Sequence, residues 1–177
     1  MRLFIALFVF FIVGCSSSVG SKYPSEFNKI LAKKPFTLVV TYSVDCPVSQ
    51  LYTSVLKDIS ASLPLDSFQC VLLKVNANEN WDISLNHFKV IDSEALEMAQ
   101  AIGFKVFPEV AVVNDKGKVI YIGAIDGRVK EIGNMHFKPL SSELYLNNAM
   151  TQLRQKLPIH QPATIAKGCF IEYNKNP

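Results

Sequence analysis

The chain has 177 residues, 49% of them hydrophobic and 19% charged, with Gly and Pro at ordinary levels. That is apolar material for one compact domain with a sizeable core, and there is no low-complexity stretch of any length. Lys and Arg number 18 against 15 Asp and Glu, a net charge of +3 with no basic run, which argues against a nucleic-acid partner.

Arg2 and the unbroken apolar run Leu3 to Val13 form a targeting segment, too short to span a bilayer, which needs roughly 20 residues. Gly14-Cys15-Ser16 closes it in the manner of a bacterial lipoprotein signal. That resemblance implies a signal peptide over 1–14, lipid on Cys15 and a tether over 15–24. It also implies a periplasmic location, and Ser16 after the cysteine leans towards the outer membrane. In an oxidising compartment the remaining cysteines, Cys46, Cys70 and Cys169, allow one internal pair and leave one thiol over.

From residue 25 on, the pattern is α/β. Phe36 to Ser43 is a β-branched and aromatic run that reads as a buried strand. Pro47 fits the first turn of a following helix, whose apolar stripe is Val48, Leu51, Tyr52, Val55, Leu56, Ile59 and Leu63. Phe68 to Val75 is a second buried strand, and Cys70 in its middle reads as a core residue. Residues 77–91 are polar and read as an irregular insertion. Asp92 is the candidate cap of a second helix that runs to Ile102 and stops at Gly103. After Phe107-Pro108 come a strand over Val110 to Val113, a turn at 114–117 and a strand over Lys118 to Ile125. A last helix over 142–157 carries Leu146, Met150, Leu153 and Leu157 on one face, and a tail over 158–177 follows. Pro158 and Pro162 stop the helix, so the tail must lie back over the domain.

The order β-α-β-α-β-β-α, with a cysteine at the first strand-to-helix turn and a proline before the hairpin, resembles the thioredoxin fold. More narrowly, "DCPVSQLY" (45–52), "YIGAIDGR" (121–128) and "KGCFI" (167–171) resemble three motifs of thioredoxin-like redoxins related to the alkyl hydroperoxide reductase and thiol-specific antioxidant group. The resemblance implies a central mixed sheet flanked by helices and thiol–disulfide chemistry without a bound cofactor. Gly127 stands where that group usually has an acidic residue. Val39 and Ser43 stand where dedicated peroxidases carry Pro and Thr, so the thiol or disulfide of a partner protein is the expected substrate ahead of peroxide.

Cys46, at a helix N-terminus and an exposed strand tip, is the candidate nucleophile, because the helix end stabilises a thiolate. Asp45 works against that thiolate if it points inward, and can instead orient a proton. Ser49 replaces the second cysteine of a C-x-x-C site; its hydroxyl can bond the thiolate but cannot release a mixed disulfide. The resemblance implies a cis Pro108, which leaves a backbone edge for a substrate peptide. Arg128 falls at the cysteine end of the sheet, where it can stabilise a thiolate or an oxidised sulfur. Cys169 is the candidate resolving thiol, provided its Cα comes within about 7 Å of that of Cys46; resolution by an external thiol, or a Cys169–Cys70 pair, are the other outcomes. Two further functions stay open: copper delivery of the Sco type through Cys46, Cys169 and His136, since soft thiolates suit Cu(I), and a non-catalytic binding scaffold. Replacing the lipidation residue, Cys15→Ala, should release the protein from the membrane fraction or block its processing; unchanged fractionation and processing would remove the anchor.

Overall fold

The computed structural model describes residues 22–76, 79, 85, 87–131, 136–137 and 143–173. The apolar leader with Cys15, most of the predicted insertion and the last four residues lie outside them. A five-stranded sheet organises the described chain. Its centre is β1, Phe36–Tyr42, with β2, Phe68–Lys74, parallel on one side and β5, Glu109–Asn114, antiparallel on the other. The edges are β3, Phe88–Ile91, parallel to β2, and β6, Val119–Gly123, antiparallel to β5. Because β1 is covered on both faces, it needs a continuous apolar run rather than alternation, and Leu38, Val39 and Val40 are fully buried.

The register decides what meets at the top of the sheet. Parallel β1 and β2 run in step from Phe36↔Phe68 to Tyr42↔Lys74, so both end at one edge of the molecule. There β1 turns into α2, Pro47–Ser62, with Pro47 at the first helical position. Antiparallel β5 starts at the same edge, since Thr41 pairs with Glu109, and β6 returns there, since Val110 pairs with Gly123. Cys46, Pro108 and the 124–128 segment are therefore neighbours by register alone.

Local structure departs from the sequence reading at several points. An additional helix α1, Ser25–Leu31, buries Phe27, Ile30 and Leu31. The predicted insertion ends in β3, whose Phe88 and Ile91 are buried and whose Lys89 and Val90 face out. Helix α3, Ala95–Ile102, begins after Glu94 in a left-handed conformation (φ 62°), not after an Asp92 cap, and the Asp92 carboxylate pairs with Lys74 at 3.4 Å. The α2 stripe is narrower than its apolar spacing suggests: Leu51 is exposed while Ser49 and Ser60 are buried. Helix α4, Tyr145–Arg154, stops short of Leu157, which stays half exposed, because Lys156 turns left-handed (φ 58°).

After α4 the tail is strapped to the sheet. Ile122 N–H donates to the Pro162 carbonyl and Thr164 N–H to the Ile122 carbonyl, each at 3.0 Å. The Thr164 hydroxyl accepts from Ala124 N–H at 2.9 Å and pairs with Tyr121 Oη at 3.0 Å. This approach is close enough to require Gly123: its φ is +138°, and a Cβ there would collide with the Thr164 carbonyl and hydroxyl. Gly123→Ala combines that collision with an unfavourable backbone, so we expect a loss above about 1 kcal/mol. At roughly 2–4 °C per kcal/mol for a chain of this size, melting should drop and limited proteolysis should cut the tail faster. An unchanged Tm and cleavage pattern would show that the strap is not stabilising.

Candidate functional site

The chain leaves β1 through Ser43 and Val44 and reaches Cys46, the N-cap of α2, in an extended conformation (φ −88°, ψ 113°). Backbone bonds shape this turn: Cys46 N–H donates to the Ser43 carbonyl at 3.3 Å and Gln50 N–H to the Cys46 carbonyl at 3.1 Å. Cys46 Sγ is bonded to Cys169 Sγ, with the two Cα atoms 6.0 Å apart, inside the range a disulfide needs. The candidate nucleophile and the candidate resolving thiol are thus one bond across 123 residues. Cys70, the third cysteine, is buried in β2 as a free thiol, and burial pushes its pKa up to about 12, which keeps it protonated and inert.

The Phe107–Pro108 bond is cis. Before it lies a two-residue strand β4, Val106–Phe107, and on its outer edge runs β9, Cys169–Phe170, antiparallel, with Phe107 opposite Cys169 and Val106 opposite Phe170. Ile171 N–H extends the ladder to the Lys105 carbonyl at 3.0 Å, and Tyr173 Oη donates to the Phe104 carbonyl at 2.7 Å. The edge expected to receive a substrate strand is filled by the chain's own tail. Gly168 makes this possible, since any side chain there would run into the Phe107 carbonyl.

One expectation needs correcting. Cys46 was predicted at an exposed strand tip, and it is 1% exposed. The reason is its position between the core and the tail: its sulfur is spent on Cys169 and lies 3.2 Å from the Phe107 carbonyl oxygen. Reduction would let the thiol donate to that same oxygen. Asp45 beside it is exposed.

Ser49 is fully buried, and its hydroxyl accepts a hydrogen bond from Ser43 N–H at 3.4 Å, so it braces the turn before Cys46. Arg128 Nε donates to Asp126 Oδ2 at 2.7 Å, and its guanidinium lies over the Tyr52 ring, 5.7 Å from the centroid. Tyr52 Oη in turn donates to Asp126 Oδ1 at 2.6 Å. Burial first, and the Asp126 bond second, drive the Tyr52 pKa far up, so the phenol remains the donor. Two of the sequence motifs are thereby clasped together, with the Arg128 guanidinium engaged by Asp126 and Tyr52.

Two buried carboxylates were missed altogether. Glu79, in the predicted insertion, accepts from Ser43 Oγ at 2.5 Å, Val44 N–H at 2.9 Å and Asn76 Nδ2 at 2.6 Å. It pins the Ser43–Val44 turn that leads into Cys46. Glu109, directly after Pro108, accepts from Lys105 N–H at 2.6 Å and Val106 N–H at 3.3 Å. Burial raises its pKa, while those two N–H groups pull it back down. Its partners are the inner N–H groups of the β4 segment, so the outer edge is held out for pairing. Nothing in spacing or hydropathy marks either glutamate as buried. As for metal, His87 is exposed, and among the described residues no three His, Cys, Asp or Glu side chains form a cluster that could hold an ion.

No family model matches the sequence, and no curated protein matches it. Among solved structures, the chain is similar to a hypothetical protein, SMc02350, from Sinorhizobium meliloti 1021, at 16% identity over 84% of this chain and 85% of that one, with a TM-score of 0.64. It is similar to an uncharacterized conserved protein from Geobacillus kaustophilus at 15% identity over 84% and 82%, TM-score 0.62. A thioredoxin from Wuchereria bancrofti overlaps 52% of this chain and 70% of its own at 20% identity, TM-score 0.45. The chain has a thioredoxin-like fold: a central mixed sheet flanked by helices, with Cys46 opening the helix after the central strand.

Removing the Glu79 carboxylate strands Ser43, Val44 N–H and Asn76 without their acceptor. Glu79→Ala should destabilise the fold by about 2–4 kcal/mol, given roughly 1–3 kcal/mol for each buried group left unsatisfied, and should slow closure of the Cys46–Cys169 bond after reduction. A variant with wild-type melting and wild-type reoxidation would show that the turn holds itself.

Proposed function

We propose that the protein is a thiol–disulfide oxidoreductase of the redoxin kind, anchored by lipid on Cys15 outside the bacterial cytoplasm, that cycles between a Cys46–Cys169 disulfide and the dithiol. The observation that carries this reading is the seating of that disulfide on β4. A purely structural crosslink needs no helix N-terminus and no cis proline beside it, whereas an exchange site uses both, with a strand edge that the tail here occupies in a substrate's place. In the dithiol state Cys46 attacks a disulfide or sulfenic acid of a partner, held at the helix end that favours its thiolate. Cys169 then displaces the partner from within, supplying the thiol that Ser49 cannot. Two electrons and two protons pass to the partner disulfide, and the internal disulfide re-forms. Arg128, with its charge held between Asp126 and Tyr52, acts as the local cation of the site.

Turnover of a disulfide substrate by the reduced protein tests the proposal. Wild type should cycle, Cys46→Ser should lose at least about 100-fold of that rate, and Cys169→Ser should accumulate a mixed disulfide or sulfenic acid on Cys46. Retained turnover in Cys46→Ser would remove the function.

A further inference from the structure

Resting on that oxidoreductase reading, we propose that reducing equivalents enter at Cys169: an external dithiol attacks the tail sulfur, and Cys46 is the leaving group. The two sulfurs of the disulfide are not equivalent. Thiol–disulfide exchange requires the incoming thiolate to approach nearly in line with the S–S bond, so access decides which sulfur is attacked. Cys46 is 1% exposed, packed in the core, with the Phe107 carbonyl oxygen 3.2 Å from its sulfur. Cys169 is partly exposed, on a two-residue strand whose other member, Phe170, is 80% exposed. Of the two cysteines, Cys169 is the one open to an incoming sulfur, while Cys46 is covered.

The leaving group points the same way. When the partner thiolate bonds to Cys169 Sγ, the Sγ–Sγ bond breaks and its electron pair goes to Cys46. The anion is released at the N-terminus of the 16-residue helix α2, where the helix end stabilises it, and a better stabilised thiolate leaves faster. The opposite choice would expel Cys169 as a thiolate on the tail, with no helix end to receive it. The partner's second thiol, after losing its proton to solvent, then attacks the partner's own first sulfur. Cys169 departs and takes up a proton, leaving the partner oxidised to a disulfide and this protein reduced to the dithiol.

The tail is built to survive this exchange. Thr164 stays fastened to β6 through its N–H and hydroxyl, so opening the disulfide releases only the segment beyond it. Cys169 lies five positions beyond Thr164, a reach of roughly 17 Å when extended. Cys169 can therefore present the mixed disulfide outward while the strap holds, and then return to the β4 edge.

The probe is glutathione, at less than one equivalent, added to the oxidised full-length protein. Samples are quenched in acid within the first moments, blocked with N-ethylmaleimide and mapped by mass spectrometry. The earliest adduct should carry glutathione on Cys169 and maleimide on Cys46, in at least about tenfold excess over the reverse arrangement. Glutathione appearing first on Cys46, with Cys169 blocked, would overturn the assignment and leave the oxidoreductase reading standing. A disulfide that resists thiol while the protein stays folded would overturn both.

Discussion

The bond between Cys46 and Cys169 is the constraint on which the top of the molecule depends. Without it the last stretch of chain is held by a short ladder on β4, the Ile171 side chain and the Tyr173 hydroxyl. The β9 strand is two residues long, Phe170 is exposed, and Ile171 is the only apolar side chain of the 169–171 segment that is buried. Closing a loop of this length removes about 4–5 kcal/mol of freedom from the unfolded chain by the chain-entropy relation. That is of the same order as the whole margin of stability of a small domain. The oxidised protein is accordingly a closed object, with its reactive sulfur under its own tail.

Around that bond the interior carries three buried carboxylates. Glu79 receives the Ser43–Val44 turn, Glu109 receives the inner N–H groups of the β4 segment, and Asp126 receives Tyr52 and Arg128. Among the described residues every buried side-chain nitrogen and oxygen has a partner. Each carboxylate fixes backbone or side chains of a different segment of the chain. A buried carboxylate is expensive unless it is hydrogen-bonded, so these contacts rigidify the frame as well as satisfying it. The tail packs on a frame that these three carboxylates tie together.

A division of labour follows from the strap at Thr164. The tail meets the rest of the fold twice, once along the edge strand β6 and once along β4, with which it forms a separate two-stranded ladder, and the two attachments differ in kind. At β6 the contact is made by hydrogen bonds around a glycine that admits no side chain. At β4 it is completed by a bond that thiols can open. The hydrogen bonds of the first attachment do not depend on the bond that closes the second.

What the sequence determined by itself is whatever depends on neighbours along the chain. The β-branched run of β1, the Pro47 start of α2, the Gly103 stop of α3 and the Asn114–Gly117 turn were all legible, because β-branched runs, helix-end preferences and turn chemistry act over a few residues. So was the placing of Cys46 at a helix N-terminus, and Cys169 as one candidate partner, through motif resemblance and the tail's need to fold back. Tertiary structure alone decided the rest. Whether Cys46 is exposed depends on a tail 123 residues away, and whether Glu79 is buried depends on which turn lies against it. The Tyr52–Asp126 bond joins residues 74 apart, and neither one's local context reveals the other. Burial, and with it the reactivity of a sulfur or the role of a carboxylate, is a property of what the completed sheet brings together, and no local pattern encodes that.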